Sequence, residues 1–188
     1  MTRTMSVTVP AGAAQLEGIL ALPASPIGVV LFAHGSGSGR LSPRNNYVAT
    51  QLHAAGIATL LLDLLTAQED AVYQNRFDIG LLCRRLHAAA ALRLAADAGS
   101  GVAAVVSRGG RPDLAGPCLA HVDAPTLLIV GGEDGAVIGM NREALDLLRC
   151  EKELAIVPGA GHLFEQPGTL EQAATLACAW FVRHFEPV

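Results

Sequence analysis

Charge is scarce in this chain: only 16% of its 188 residues are Asp, Glu, Lys or Arg. No run of Lys or Arg occurs and the formal net charge is −4, which argues against nucleic acid as a partner. The four cysteines, Cys83, Cys118, Cys150 and Cys178, show neither Cys-x-x-Cys spacing nor a paired framework. Zinc and structural disulfides are therefore poor readings, and buried thiols in a reducing compartment are the better one. The first ten residues contain no apolar signal core, and no stretch is long and apolar enough to span a bilayer. The expectation is a soluble cytoplasmic protein with no membrane partner. Repeats and linkers are also lacking, so one domain over residues 1–188 suffices.

What is present is apolar: 51% of the residues are hydrophobic, which excludes a disordered chain and points to a sheet buried on both faces. Ser6–Val9 alternates and ends at Pro10, as an edge strand can. Leu16–Leu22 is a second strand, Ile27–Ala33 is a continuous apolar run of central-strand type, and Ile57–Leu62 is another central strand. Val102–Val106, Thr126–Val130 and Leu154–Val157 are further strands. Asn45–Ala55, about Asn75 to Ala98, Asn141–Arg149 and Thr169–Phe185 read as helices, with Met140–Glu143 as a helix start and Thr66–Asn75 as a polar loop. Strands alternating with helices predict an α/β fold with a doubly wound, mostly parallel sheet.

Two positions near the end carry chemistry. Asp134 follows the strand run Thr126–Val130, and His162 follows the run ending at Val157. An aspartate and then a histidine after successive strands is the second half of the Ser…Asp…His order of α/β-hydrolases. The first half is absent, because the chain contains no Gly-x-Ser-x-Gly and no Gly-x-Cys-x-Gly. An ordinary turn aspartate and a surface histidine are the alternative reading of the pair.

The segments Val29–Gly39, Ser42–Val48, Ala58–Leu65, Arg76–Leu82 and Ala104–Leu114, together with the surroundings of Asp134 and His162, resemble the dienelactone-hydrolase-like α/β-hydrolases. The resemblance covers nearly the whole chain. It implies ester or lactone hydrolysis, a small ester or lactone as substrate, and neither a nucleotide nor a metal cofactor. It also implies that the His34–Gly39 loop supplies one oxyanion-hole N–H near Gly35 or Ser36. A phosphate loop is the rival reading, but the Lys-Ser/Thr ending of a Walker motif is absent.

In that family a strand and the nucleophile elbow lie between the helix near Arg76 and the helix holding the Ala88–Leu92 run. Here these helices are adjacent, so one central strand and the elbow are expected to be missing. A break in periodicity falls at the same place. Ile79, Leu82, Cys83 and Leu86 form one apolar stripe, Ala88, Leu92 and Ala95 another, and the stripe jumps near His87. A single surface helix keeps one stripe, although an Ala-rich helix buried on most sides tolerates a wandering one.

Ser107 is the best substitute nucleophile, since it directly follows the Val102–Val106 run and Ser107–Gly109 is the second half of an elbow. Val105 stands where the first glycine belongs, however, and Arg108–Pro112 leads into a loop rather than a helix. Ser36 and Ser38 read as loop hydrogen-bonders and Cys83 as a core thiol. His53, His87, His121 and His184 have no metal-ligand spacing. Two functions follow: a weak hydrolase using Ser107 or a His162-activated water, or a non-catalytic relative without an acyl-enzyme route. Losing the central strand would either let its neighbours pair directly or split the sheet into two apolar edges, which invite pairing with another chain. The fused helix would reach ~36 Å at ~1.5 Å per residue. A homodimer exchanging the halves before and after His87 is the resulting expectation.

Overall fold

The structure is a computed structural model that describes residues 1–34, 38–85 and 102–185. These fall into two compact units on either side of residues 86–101. The second half of the expected long helix, the stripe break at His87, and Gly35 and Ser36 lie outside the described residues.

The first unit opens with a hairpin, β1 (Arg3–Ala11) and β2 (Ala14–Leu22). The turn is tight because Gly12 takes a positive φ of 68°. Next come β3 (Val29–Phe32), helix α1 (Pro43–Ala54) and β4 (Ala58–Leu62). Ser42 caps α1 by accepting the Asn45 N–H, with Pro43 in the first turn. The sheet order is β1-β2-β4-β3, with β4 antiparallel to β2 and parallel to β3. β4 is buried at every position, including Thr59, whose hydroxyl lies 2.7 Å from His53 Nε2. Leu60, Leu62 and Leu64 form the core of this unit, with Val7, Val9, Leu20, Leu31 and Leu82 packed against them.

The expected polar loop Thr66–Asn75 instead holds the short helix α2 (Ala67–Asp70). Its cause is local: Thr66 Oγ1 accepts the Glu69 N–H while Glu69 Oε2 accepts the Thr66 N–H, a reciprocal capping box. The long helix also starts later than its periodicity predicts. Asn75 lies in a 3-10 segment, Tyr73–Phe77. Asp78 then accepts the Leu81 N–H at 2.8 Å and opens helix α3, described over 79–85.

The second unit has β5 (Val105–Arg108), β6 (Thr126–Gly131) and β7 (Lys152–Val157) in the order β5-β6-β7, all parallel. β5 begins three residues later than the Val102–Val106 run suggests, so Ser107 lies inside the strand, in register with Leu128, rather than after it. Helices α4 (Gly135–Leu147) and α5 (Thr169–His184) complete the unit. α4 starts six residues before the expected Asn141, and Met140–Glu143 sits mid-helix rather than at a helix start. Gly135 and Gly139 hide this helix from a propensity reading, while Val137, Asn141 and Ala144 mark its buried face. Leu127, Ile129, Val157, Phe164, Ala173, Ala177 and Trp180 form the core. The Trp180 indole N–H donates to the Pro125 carbonyl at 3.3 Å, and the His184 ring lies 4.6 Å away.

Among the described residues, β3 pairs only with β4 and β5 only with β6, so each is an edge strand of its own sheet. No described helix is long and apolar enough to cross a membrane.

Candidate active site

In the second unit, the loops after β6 and β7 approach each other backbone to backbone. Gly132 N–H donates to the Val157 carbonyl at 2.8 Å and Glu133 N–H to the Ala160 carbonyl at 2.9 Å. Gly131 makes this possible. A Cβ there would collide with the Ala160 carbonyl oxygen and come within 2.6 Å of the Gly161 oxygen. Gly131, the last residue of β6, is thus a packing requirement, because only hydrogen fits where the two main chains meet.

This brace delivers Asp134 and His162 to each other. The His162 Nδ1 lies 2.7 Å from Asp134 Oδ2. The carboxylate is largely covered, at 16% side-chain exposure, while the imidazole is 52% exposed. An ionised carboxylate only accepts, so Nδ1 carries the proton and the ring's lone pair lies on Nε2. Nε2 has no hydrogen-bond partner among the described residues. Asp134 also precedes α4, yet its side chain makes no cap hydrogen bond.

Supporting residues hold the histidine loop. Gln166 Oε1 accepts the Gly161 N–H at 2.9 Å. Phe164 has a φ of 55°, costly for a residue with a Cβ, and its 2%-exposed ring in the core holds it there. From β5, Gly109, with a φ of 60°, packs against the His162 carbonyl oxygen, which a Cβ would meet at 3.0 Å. The Arg108 guanidinium stands 5.8 Å from the centre of the Phe164 ring. Asn141, fully buried, donates to the Gly110 carbonyl at 3.1 Å and to the Val137 carbonyl at 2.9 Å, while its Oδ1 is buried without a partner. Sequence reasoning singled out none of Asn141, Phe164 and Gln166 as site residues, and named Gly109 only as the last residue of a half elbow. A glycine pair at 109–110 was the one available signal.

Ser107 does not join this group by a hydrogen bond. Its hydroxyl lies against Gly110, where any side chain would collide with it. The first unit holds His34, whose Nε2 accepts the Leu64 N–H at 3.0 Å. The far end of the same loop is fixed by Asp63, which accepts the Arg40 N–H at 2.7 Å and ion-pairs with the Arg40 guanidinium. The glycine loop after β3 is therefore tied at both ends to the residues following β4. Among the described residues, no group of three His, Cys, Asp or Glu is arranged to hold a metal ion.

No protein-family model matches the chain. It is 50% identical over 207 residues to two Mycobacterium tuberculosis proteins, of strains CDC 1551 / Oshkosh and ATCC 25618 / H37Rv, each provisionally named a phosphoribosyl transferase. The match takes in 97% of this chain and 47% of either relative, so the chain spans about half the length of the curated relatives it matches. Among solved structures, the dienelactone hydrolase from Anabaena variabilis ATCC 29413 is 48% identical, with a TM-score of 0.90, over 98% of this chain and 99% of that one. A cold-adapted esterase from an Arctic intertidal metagenomic library shares 14% identity with a TM-score of 0.73, over 98% of this chain and 95% of that one. A dienelactone hydrolase-like promiscuous phosphotriesterase from metagenomic libraries shares 18% identity with a TM-score of 0.73, over 98% and 99% of the two chains. These last two show the α/β-hydrolase fold alone.

Proposed function

The chain belongs to the dienelactone hydrolase family of α/β-hydrolases, and from that premise we propose that it is a shortened relative with little or no catalysis by the usual serine or cysteine acyl-enzyme route. One observation carries the reading: Asp134 and His162 are hydrogen-bonded at 2.7 Å, and no hydroxyl or thiol stands on the free imidazole nitrogen among the described residues. The absence of any Gly-x-Ser-x-Gly or Gly-x-Cys-x-Gly supports it from the sequence side. So does the span of the match to the curated relatives. It is 207 residues long but draws on 97% of a 188-residue chain, leaving about two dozen positions that this chain does not fill.

Asp134 orients the imidazole and His162 is the inherited base. His34 anchors the loop that would supply one oxyanion donor near Gly35 or Ser36. The second donor belongs to the residue after the nucleophile and is lost with it, which costs on the order of 10²–10³ in rate. The substrate class is a small ester or lactone, and we read the two units as halves of one domain. The phosphoribosyl transferase named for the longer relatives is not carried over to this chain, which spans about half their length.

We also propose a homodimer exchanging the halves before and after His87, supported by the edges of β3 and β5 that have no partner strand among the described residues. The test of function is a fluorophosphonate probe with mass-spectrometric site mapping, alongside short-chain alkyl ester assays. The expected result is no serine adduct and hydrolysis near background. An adduct on Ser107, with activity abolished by His162→Ala, overturns the reading.

A further inference from the structure

We propose that His162 is itself a nucleophile toward activated esters, aryl esters in particular, through an acyl-imidazole formed at Nε2. The inference rests on the reading above, that no hydroxyl or thiol accepts the acyl group. In a Ser-His-Asp triad the Nε2 lone pair acts as a base on the serine hydroxyl. Here that lone pair is unpartnered among the described residues, on a ring 52% exposed. Asp134, at 2.7 Å on Nδ1, fixes the tautomer and raises the electron density of the ring. Histidine is among the side chains that form covalent intermediates. The braced loops hold the ring in place, through Glu133 to Ala160 and the glycine contact at Gly131.

The steps balance. The Nε2 lone pair adds to the ester carbonyl carbon, the bond to the aryl oxygen breaks, and the phenolate leaves with that electron pair. The acylated imidazolium releases its Nδ1 proton by way of Asp134 to solvent, giving a neutral acyl-imidazole. Water then adds to the acyl carbon, the C–N bond breaks with its electron pair left on Nε2, one proton of that water goes through solvent to Nδ1, and the carboxylic acid departs with the other. The net reaction is ester plus water to acid plus phenol, with water the sole co-reactant. Selectivity follows from the leaving groups. The tetrahedral adduct expels a phenolate in preference to imidazole, but expels imidazole in preference to an alkoxide. Aryl esters therefore turn over, and alkyl esters and lactones return to starting material.

The experiment uses 4-nitrophenyl acetate and ethyl acetate with the full chain, His162→Ala, His162→Gln, Asp134→Asn and the exposed-histidine control His121→Ala. Acid-quenched samples are mapped by mass spectrometry. The expected result is an acetyl group on His162 that neutral hydroxylamine removes. Aryl ester turnover is lost in both His162 variants, falls about ten- to a hundredfold in Asp134→Asn with the loss of a charge-assisted hydrogen bond, and is unchanged in His121→Ala. Circular dichroism confirms that each variant is folded, and His162→Gln keeps the proposal testable should His162→Ala fail to fold. Turnover that needs His162 but shows no adduct and a solvent deuterium isotope effect overturns the nucleophile, while the reading of a missing acyl acceptor stands. An adduct on Ser107 overturns both. Equal hydrolysis of ethyl acetate, or a rate independent of His162, overturns the proposal alone.

Discussion

The two units fix the loops at the ends of their parallel strands by different means. In the first, side chains do it: Asp63 clamps Arg40, Arg40 also pairs with Glu17, and Arg85 bridges the Ala11 carbonyl and Glu69. In the second, main chains meet directly at Gly131 and Gly132. Two glycines make the contrast concrete. A Cβ at Gly39 would meet Asp63 Oδ1 at 2.6 Å, and a Cβ at Gly131 would meet the Gly161 carbonyl oxygen at 2.6 Å. A carboxylate on a rotatable stem can move aside, whereas a carbonyl in a hydrogen-bonded loop cannot. Equal distances therefore imply unequal consequences.

The largest effect expected concerns the edges of β3 and β5 that have no partner strand among the described residues. Light scattering should give twice the chain mass at micromolar concentration, and a monomer across that range would sink the exchanged dimer. Next comes the glycine pair. Gly131→Ala should cost about 3 kcal/mol in a urea melt, as overpacking against fixed atoms does, and should erase the downfield Nδ1 proton of His162. Gly39→Ala should cost about 1 kcal/mol or less, because only a partly exposed ion pair must adjust. Equal losses at the two sites would break the comparison.

Asn141→Leu separates packing from positioning within the second unit. It removes a hydrogen bond to Gly110 and also a buried oxygen without a partner. Stability should therefore change by about 1 kcal/mol or less, while the His162 Nδ1 proton signal shifts because Gly109 and Gly110 are no longer held. An unmoved signal would assign Asn141 to packing alone.

The smallest effect is a pH dependence in the first unit. His53 Nε2 lies 2.7 Å from the buried Thr59 hydroxyl, and burial holds the imidazole below its ordinary pKa. The unfolded chain then binds the proton at higher pH than the folded one. Stability is full above the ordinary histidine range, falls as pH drops through it, and levels off below the lowered folded value. Urea melts from pH 7.5 to 5 should show this slope in the native chain and a shallower one in His53→Gln.

Much of this was legible in the sequence. β4 and β6 are strands dominated by Leu, Ile and Val, and an Asp and a His after successive strands announced the pair at 2.7 Å. The missed features share a cause. The start of α4 is hidden by Gly135 and Gly139, because helix propensity is local while the helix is held by tertiary contacts at Val137, Asn141 and Ala144. The left-handed Phe164 is invisible for the same reason: no property of phenylalanine asks for a φ of 55°, and only the buried ring imposes it. Ser107 was placed after its strand because the apolar run begins at Val102, whereas pairing with β6 begins at Val105.

The chain's single tryptophan, Trp180, lies in the second unit, with its indole bonded to Pro125 and tilted against the His184 ring. Its fluorescence therefore reports on its surroundings in the second unit, while the tyrosines of the first, Tyr47 and Tyr73, are dim by comparison. Far-UV ellipticity samples both. Two optical signals thus monitor different parts of one chain without a label. Where the two units melt as one cooperative body, both traces fall at the same temperature. Where they melt apart, the emission maximum moves in a separate step, and its order relative to the loss of ellipticity says which unit opens first.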